Sequence, residues 1–174
     1  GAKEEEQATV ISESLQGLTV RELMTHPVQT VHPETSVQQL LDTMLVTRRM
    51  GFPVVQDGAL VGVVTLSDTN RVAKENTHTA QVGDIMSREV VPTGPDMPAP
   101  KALKMMGQRN IGRLPVVDEE GQLVGIVTKK DFLNKALTGV VDQLGKKLQA
   151  LSIEVRGRHD SQVARDGEGR PLRP

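Results

Sequence analysis

Cysteine, tryptophan and tyrosine are absent from this 174-residue sequence, and phenylalanine occurs only twice. Without cysteine there is no disulfide, no thiolate nucleophile and no Cys-ligated zinc, which fits a reducing, cytoplasmic setting. Without Trp or Tyr, the stacking platforms that hold single-stranded nucleic acid have almost no material. No run of 18 apolar residues occurs and residues 1–20 lack an apolar signal-peptide centre, so no segment is expected to enter or cross a membrane. A formal net charge of −1 gives no general attraction to nucleic acid or anionic lipid. The histidines His26, His32, His78 and His159 stand without metal-ligand spacing. There is no HExxH, GxSxG or P-loop, and no nucleophile beside an evident base, so a non-catalytic protein is expected.

What is present is ordinary globular material, 37% hydrophobic and 25% charged. The core must therefore be aliphatic, filled by Val, Leu, Ile and seven Met. Laid against itself, the chain shows a repeat. VRELMTHPV at 20–28 aligns with VGDIMSREV at 82–90, Pro33 with Pro95, Leu41 with Leu103, Met44 with Met106, and Pro53-Val54-Val55 with Pro115-Val116-Val117. After one inserted residue, Leu60-Val61-Gly62 aligns with Leu123-Val124-Gly125. Two copies of one unit thus fill residues 20–137. Two copies make a poor open solenoid, so a closed pair with an internal pseudo-twofold is expected.

Within each copy the elements follow from local pattern. Thr35 to Gln38 fits a capping box, and Val37, Leu40, Leu41, Met44 and Leu45 follow at helical spacing. Pro98 and Pro100 fall in the matching first turn, where a missing N–H costs little. FPVV, Asp57-Gly58 and ALVGVVT then read as a β-hairpin, repeated as LPVV, DEEG and QLVGIVT. A short helix follows each hairpin, ending near Lys74 in one copy and before Gly139 in the other. The expected unit is strand, helix, strand, strand, helix.

Each hairpin ends in the same phrase, GVVTLSD at 62–68 and GIVTKKD at 125–131. Thr65 with Asp68, and Thr128 with Asp131, fit the Thr-x-x-Asp capping box and need no ligand to explain them. The same hydroxyl and carboxylate, at the turn from strand to helix, could also grip a small polar molecule. Met44, Met50, Met105 and Met106 read as packing residues rather than specificity elements.

This order, with MT before the first strand, a helix, LPVV and then Gly-apolar-apolar-Thr-x-x-Asp, resembles the cystathionine-β-synthase (CBS) domain in its tandem form, over residues 20–137. The resemblance implies an α+β (α/β) fold of two βαββα repeats, packed through their sheets with pseudo-twofold symmetry. It also implies two clefts for an adenosine-containing ligand, namely AMP, ADP, ATP or S-adenosylmethionine, and a regulatory role toward a partner catalytic or transport domain. A homodimer is expected too. A carboxylate at a helix start can accept both hydroxyls of a ribose, and a threonine hydroxyl with free helix N–H groups can receive phosphate oxygens. Gly125 would allow close backbone approach, and Val and Ile could sandwich a purine.

By the same resemblance, the stronger cleft would use Thr25, Val28, Thr30, Gly112, Arg113, Thr128 and Asp131. The weaker one would use Met50, Gly51, Thr65, Asp68, Ser87, Val91 and Thr93. The copies are unequal. Arg113 precedes LPVV, a place suited to phosphate, whereas Gly51 precedes FPVV; Thr69 and Asn70 stand where the second copy has Phe132 and Leu133. A solvated surface arginine remains the plain alternative for Arg113, and a ligand-free assembly module of a larger membrane protein the alternative for the whole chain.

Residues 1–17 read as a solvated lead-in helix or linker, ahead of repeat one at 18–76 and repeat two at 77–138. Joined to LTVRELMTHPVQTV, that lead-in also resembles the junction of site-two-type membrane zinc metalloproteases. After Gly139, Val140, Val141, Leu144, Leu148 and Leu151 form an apolar stripe on a helix spanning 139–155, expected to dock on the pair or on another subunit. Residues 156–174 read as a polar tail.

Overall fold

The computed structural model of the chain describes residues 2–162 and Arg170. Its elements are α1 (Ala2–Ser14), α2 (Val20–Leu23), α3 (Val37–Thr47), β1 (Gly51–Gln56), β2 (Ala59–Thr65), α4 (Val82–Ile85), α5 (Ala99–Arg109), β3 (Arg113–Val117), β4 (Leu123–Thr128) and α6 (Lys129–Gln162). Two short 3₁₀ turns, Leu66–Arg71 and Lys74–Asn76, link the repeats. This is the expected α+β fold, with one antiparallel hairpin in each repeat.

The hairpins form where the turn chemistry demands. Asp57 and Gly58 both take positive φ, 51° and 80°, the pairing that a tight two-residue turn requires. In the second hairpin the Asp118 carboxylate accepts from the N–H groups of Glu120 and Gln122 at 3.0 and 2.9 Å, and Gly121 takes φ 79°. Both hairpins carry a register shift at the same place, between Val54 and Val55 and between Val116 and Val117. The first strand of each repeat shrinks to one parallel bridge, Val31 to Val54 and Thr93 to Val116.

Each repeat's opening segment belongs to the other repeat's core. Val20 and Leu23 are buried with Ala99, Ala102, Met106, Leu114, Val116, Val127 and Phe132 of the second unit. Val82, Ile85 and Met86 are buried with Val37, Leu40, Met44, Phe52, Val54 and Val64 of the first. Thr25 bridges to Ile126 and Ser87 to Val63, again crosswise. Ala59 and Gln122, counterparts in the two copies, meet each other, which marks the pseudo-twofold between the hairpins. Since a fully buried aliphatic or phenyl side chain contributes roughly 1.5–3 kcal/mol, the exchange makes each half a large part of its neighbour's stability.

Several local expectations shift. The helix N-cap is Ser36 rather than Thr35: Ser36 Oγ accepts from the Gln39 N–H at 3.1 Å, while Gln39 Oε1 accepts from the Ser36 N–H at 3.3 Å. Thr35 instead accepts from the His32 N–H, closing the preceding turn. The helix after Thr65 is a 3₁₀ turn ending at Arg71, because its residues Leu66 to Arg71 bury no side chain. The helix after Thr128 does not end before Gly139; it runs 34 residues, through the expected 139–155 helix and into the tail as far as Gln162. Phe132 and Ala136 anchor its first turns in the core, and α1 supports it past Gly139. Most of the remaining tail lies outside the described residues. Leu15 in the lead-in is fully buried, so that segment is part of the second core and not merely solvated. Met44 and Met106 are core as expected, whereas Met50 is 47% exposed.

Candidate functional site

Gly51 and Arg113 occupy matching positions at the start of β1 and β3, and the Arg113 side chain lies across Gly51. A β-carbon at 51 would stand 2.8 Å from Arg113 Nε and 2.9 Å from Cζ. Arg113 is half-buried, and the loss of water lowers its pKa from the ordinary arginine value. It nevertheless makes no hydrogen bond or ion pair to any described residue. Burying a cation without a counter-charge is costly unless something else supplies the anion.

The guanidinium borders a cavity of about 540 Å³ with Thr25, Gly112, Thr128 and Asp131. Five of the seven residues expected in the stronger cleft therefore converge. Val28 and Thr30 do not line it; Thr30 faces a separate outer groove of about 760 Å³ beside His32 and Asp57. Met50 and Gly51, assigned to the weaker cleft, line this cavity instead, because Arg113 crosses the pseudo-twofold and brings that edge in. Gly125 does not open onto a ligand: the Met24 side chain packs on it, as Met86 packs on Gly62.

Sequence reasoning missed four cations here. Arg48 and Arg49 come from the end of α3, and Lys129 and Lys130 from the start of α6. With Arg113 they set five basic side chains against one lining carboxylate, Asp131. The signal was present as TRRM before β1 and as the KK inside TKKD. In the other copy the matching positions are Asn110, Ile111, Leu66 and Ser67, none of which is basic. Gln29 also lines the cavity.

The two Thr-x-x-Asp phrases do form caps. The Thr128 N–H and Oγ1 donate to Asp131 Oδ2 at 2.8 and 3.1 Å, and those of Thr65 donate to Asp68 Oδ2 at 2.8 and 3.2 Å. In each case Oδ2 takes the capping bonds and Oδ1 takes no part in the cap. For Asp68 that second oxygen accepts from Arg71 Nη2 at 2.9 Å. The counterpart of Arg71 is Asn134, and Asp131 Oδ1 accepts from no described residue. Of the remaining residues of the weaker cleft, Ser87 meets β2 as Thr25 meets β4 in the other copy. Ser87 exchanges backbone hydrogen bonds with Val63, and Val91 packs on the second core. Thr93 is 4% exposed, and its Oγ1 has no partner among the described residues.

Two hairpin units with exchanged openings, and a cleft on their pseudo-twofold, define a tandem pair of like domains. The family model of the CBS domain matches residues 20–74 and 82–138, and the chain belongs to that family, whose domains are non-catalytic. The inosine-5'-monophosphate dehydrogenase of Thermoplasma acidophilum is 36% identical over 109 residues, 62% of this chain and 21% of that enzyme. The dehydrogenase of Methanocaldococcus jannaschii is 32% identical over 147 residues, 83% of this chain and 28% of its own length. The chain thus spans only about a quarter of these curated relatives. Among solved structures, CBSX2 in complex with AMP superposes with a TM-score of 0.61 at 32% identity, covering 70% of this chain and 98% of that one. The CBS domain of the bacterial CNNM/CorC family Mg²⁺ transporter in complex with ATP gives 0.67 at 25%, covering 77% and 97%. The likeness of the N-terminal junction to site-two-type metalloproteases finds no support in these comparisons. No helix among the described residues is long and apolar enough to cross a membrane.

Proposed function

We propose that this CBS pair is a cytoplasmic regulatory module that binds one adenosine phosphate in the cleft of Arg113, Thr128 and Asp131. Occupancy would bias a partner catalytic or transport domain. The observation that carries this is the half-buried, unpaired Arg113 guanidinium sharing one cavity with an Asp131 carboxylate that keeps an oxygen free. Asp131 would accept from the ribose hydroxyls and Arg113 would meet the phosphates. Arg48, Arg49, Lys129 and Lys130 line the same cavity, and that excess of positive charge favours ATP over ADP and ADP over AMP. S-adenosylmethionine, a cation at its sulfur, would be disfavoured. AMP and ATP in the two solved relatives support the ligand class. Regulation requires that the ligand bind two arrangements of the pair unequally.

Titration calorimetry with ATP, ADP, AMP, adenosine and S-adenosylmethionine tests the reading. The expected result is a single site whose affinity rises with phosphate number and falls with salt. No heat and no thermal shift with any of the five would overturn it and leave the ligand-free assembly module.

A further inference from the structure

The last helix has two apolar sides, and the molecule covers one. Phe132 and Ala136 are buried in the second core, and Val140 continues that side alongside α1, where Leu144 and Lys147 border the same groove as Val10, Glu13 and Ser14. Elsewhere on the helix Leu137, Val141, Leu144, Leu148, Leu151 and Val155 are each more than half exposed. Successive members are four, three, four, three and four residues apart, which is the 3.5-residue period of a coiled-coil seam. In heptad positions, Leu137, Leu144 and Leu151 are d; Val141, Leu148 and Val155 are a. The buried residues fall on c, f and g, and α1 borders the seam at Leu144, which is still 54% exposed, so one face of α6 holds its own domain and another is left for a second helix.

The seam has defined ends. Lys130 and Asn134 occupy the preceding d and a positions, and Arg158 and Gln162 the following ones. Between them lie about 27 Å of apolar edge. Gly139, Gly145 and Gly157 all sit inside α6 but off the seam, and each weakens an isolated helix by roughly 1 kcal/mol relative to alanine. A helix so weakened needs tertiary or intermolecular packing beyond the reach of α1.

We propose that residues 137–155 of α6 pair with the same residues of a second copy in a parallel, in-register, two-stranded coiled coil. Among parallel coiled coils, valine at a with leucine at d is the pattern that favours two strands. The flanking charges choose the direction. Parallel pairing sets Lys147 against Ser152 and Glu154 against His159, whereas the antiparallel register that also matches all six layers sets Lys147 against Lys147. This inference is independent of nucleotide binding.

Light scattering on the full chain should give about twice the 18.9 kDa chain mass, and Leu148→Lys with Leu151→Lys should give the monomer mass. Ile153→Lys is the control, since Ile153 is 63% exposed but off the seam, and it should leave the dimer intact. Because the chain has no native cysteine, Leu151→Cys reports direction: under mild oxidation it should form a disulfide-linked dimer, and Ile153→Cys should not. A monomeric wild-type chain, or a dimer that survives the double lysine variant, would overturn the seam. A dimer that Leu151→Cys cannot cross-link would overturn the parallel register.

Discussion

Arg113 rests on its own counterpart. The two copies place Gly51 and Arg113 at equivalent points beside the pseudo-twofold, and the arginine fits only because the other copy has no side chain there. Gly51→Ala would meet a flexible guanidinium rather than backbone, so the fold should survive while Arg113 is pushed aside. The expected outcome is a melting temperature within a few degrees of wild type and ATP affinity reduced by up to about tenfold. An unchanged affinity by calorimetry would show that Arg113 does not read the ligand from this position.

Removing the guanidinium itself separates charge from fold. Arg113→Ala should weaken ATP and AMP by about tenfold to a hundredfold, the worth of a charged hydrogen bond, and leave adenosine nearly unchanged. Salt should affect the variant less than the wild type. Thr128→Ala removes a neutral hydroxyl and should cost about 0.5–1.5 kcal/mol. Equal losses for adenosine and ATP in Arg113→Ala would assign the arginine to cleft structure.

The two aspartates should divide by role. Asp68→Ala and Asp131→Ala each remove a cap worth about 1 kcal/mol, measurable by urea unfolding. Only Asp131→Ala should also abolish high-affinity binding, because the second oxygen of Asp68 is held by Arg71. Arg71→Asn, copying Asn134, should free that oxygen and add a weaker second binding event. Equal binding losses in the two aspartate variants would contradict the ranking.

Leu15 tests the reach of the core. Its side chain is fully buried among Val20, Phe132 and their neighbours, so Leu15→Ala should cost about 2–5 kcal/mol in chemical unfolding. Gly62→Ala should destabilise by about 1–3 kcal/mol, since its new methyl would stand 2.8 Å from both Met86 Sδ and the Ser87 carbonyl oxygen. A neutral Leu15→Ala would return the lead-in to a solvated role.

The repeat, the hairpins, the inner helices and the capping boxes at Thr65 and Thr128 were legible in the sequence, because each rests on residues close along the chain: Asp57-Gly58 for a turn, Thr128 and Asp131 for a cap, apolar spacing for a buried face. The family followed from the same local phrases recurring in order. Long-range placement was not legible. That Val20 and Val82 exchange cores, that Met24 fills the space at Gly125, and that Arg48 and Arg49 meet Lys129 and Lys130 in one cavity depend on how two similar halves dock. Local patterns do not encode that docking, since apolar faces attract without direction. The inequality of the clefts lay between these limits. Asp68 is paired by Arg71 three residues on, a local difference from Asp131 with Asn134 that the sequence already carries, but only packing across the pseudo-twofold decided that the Arg113 side chain lies over Gly51.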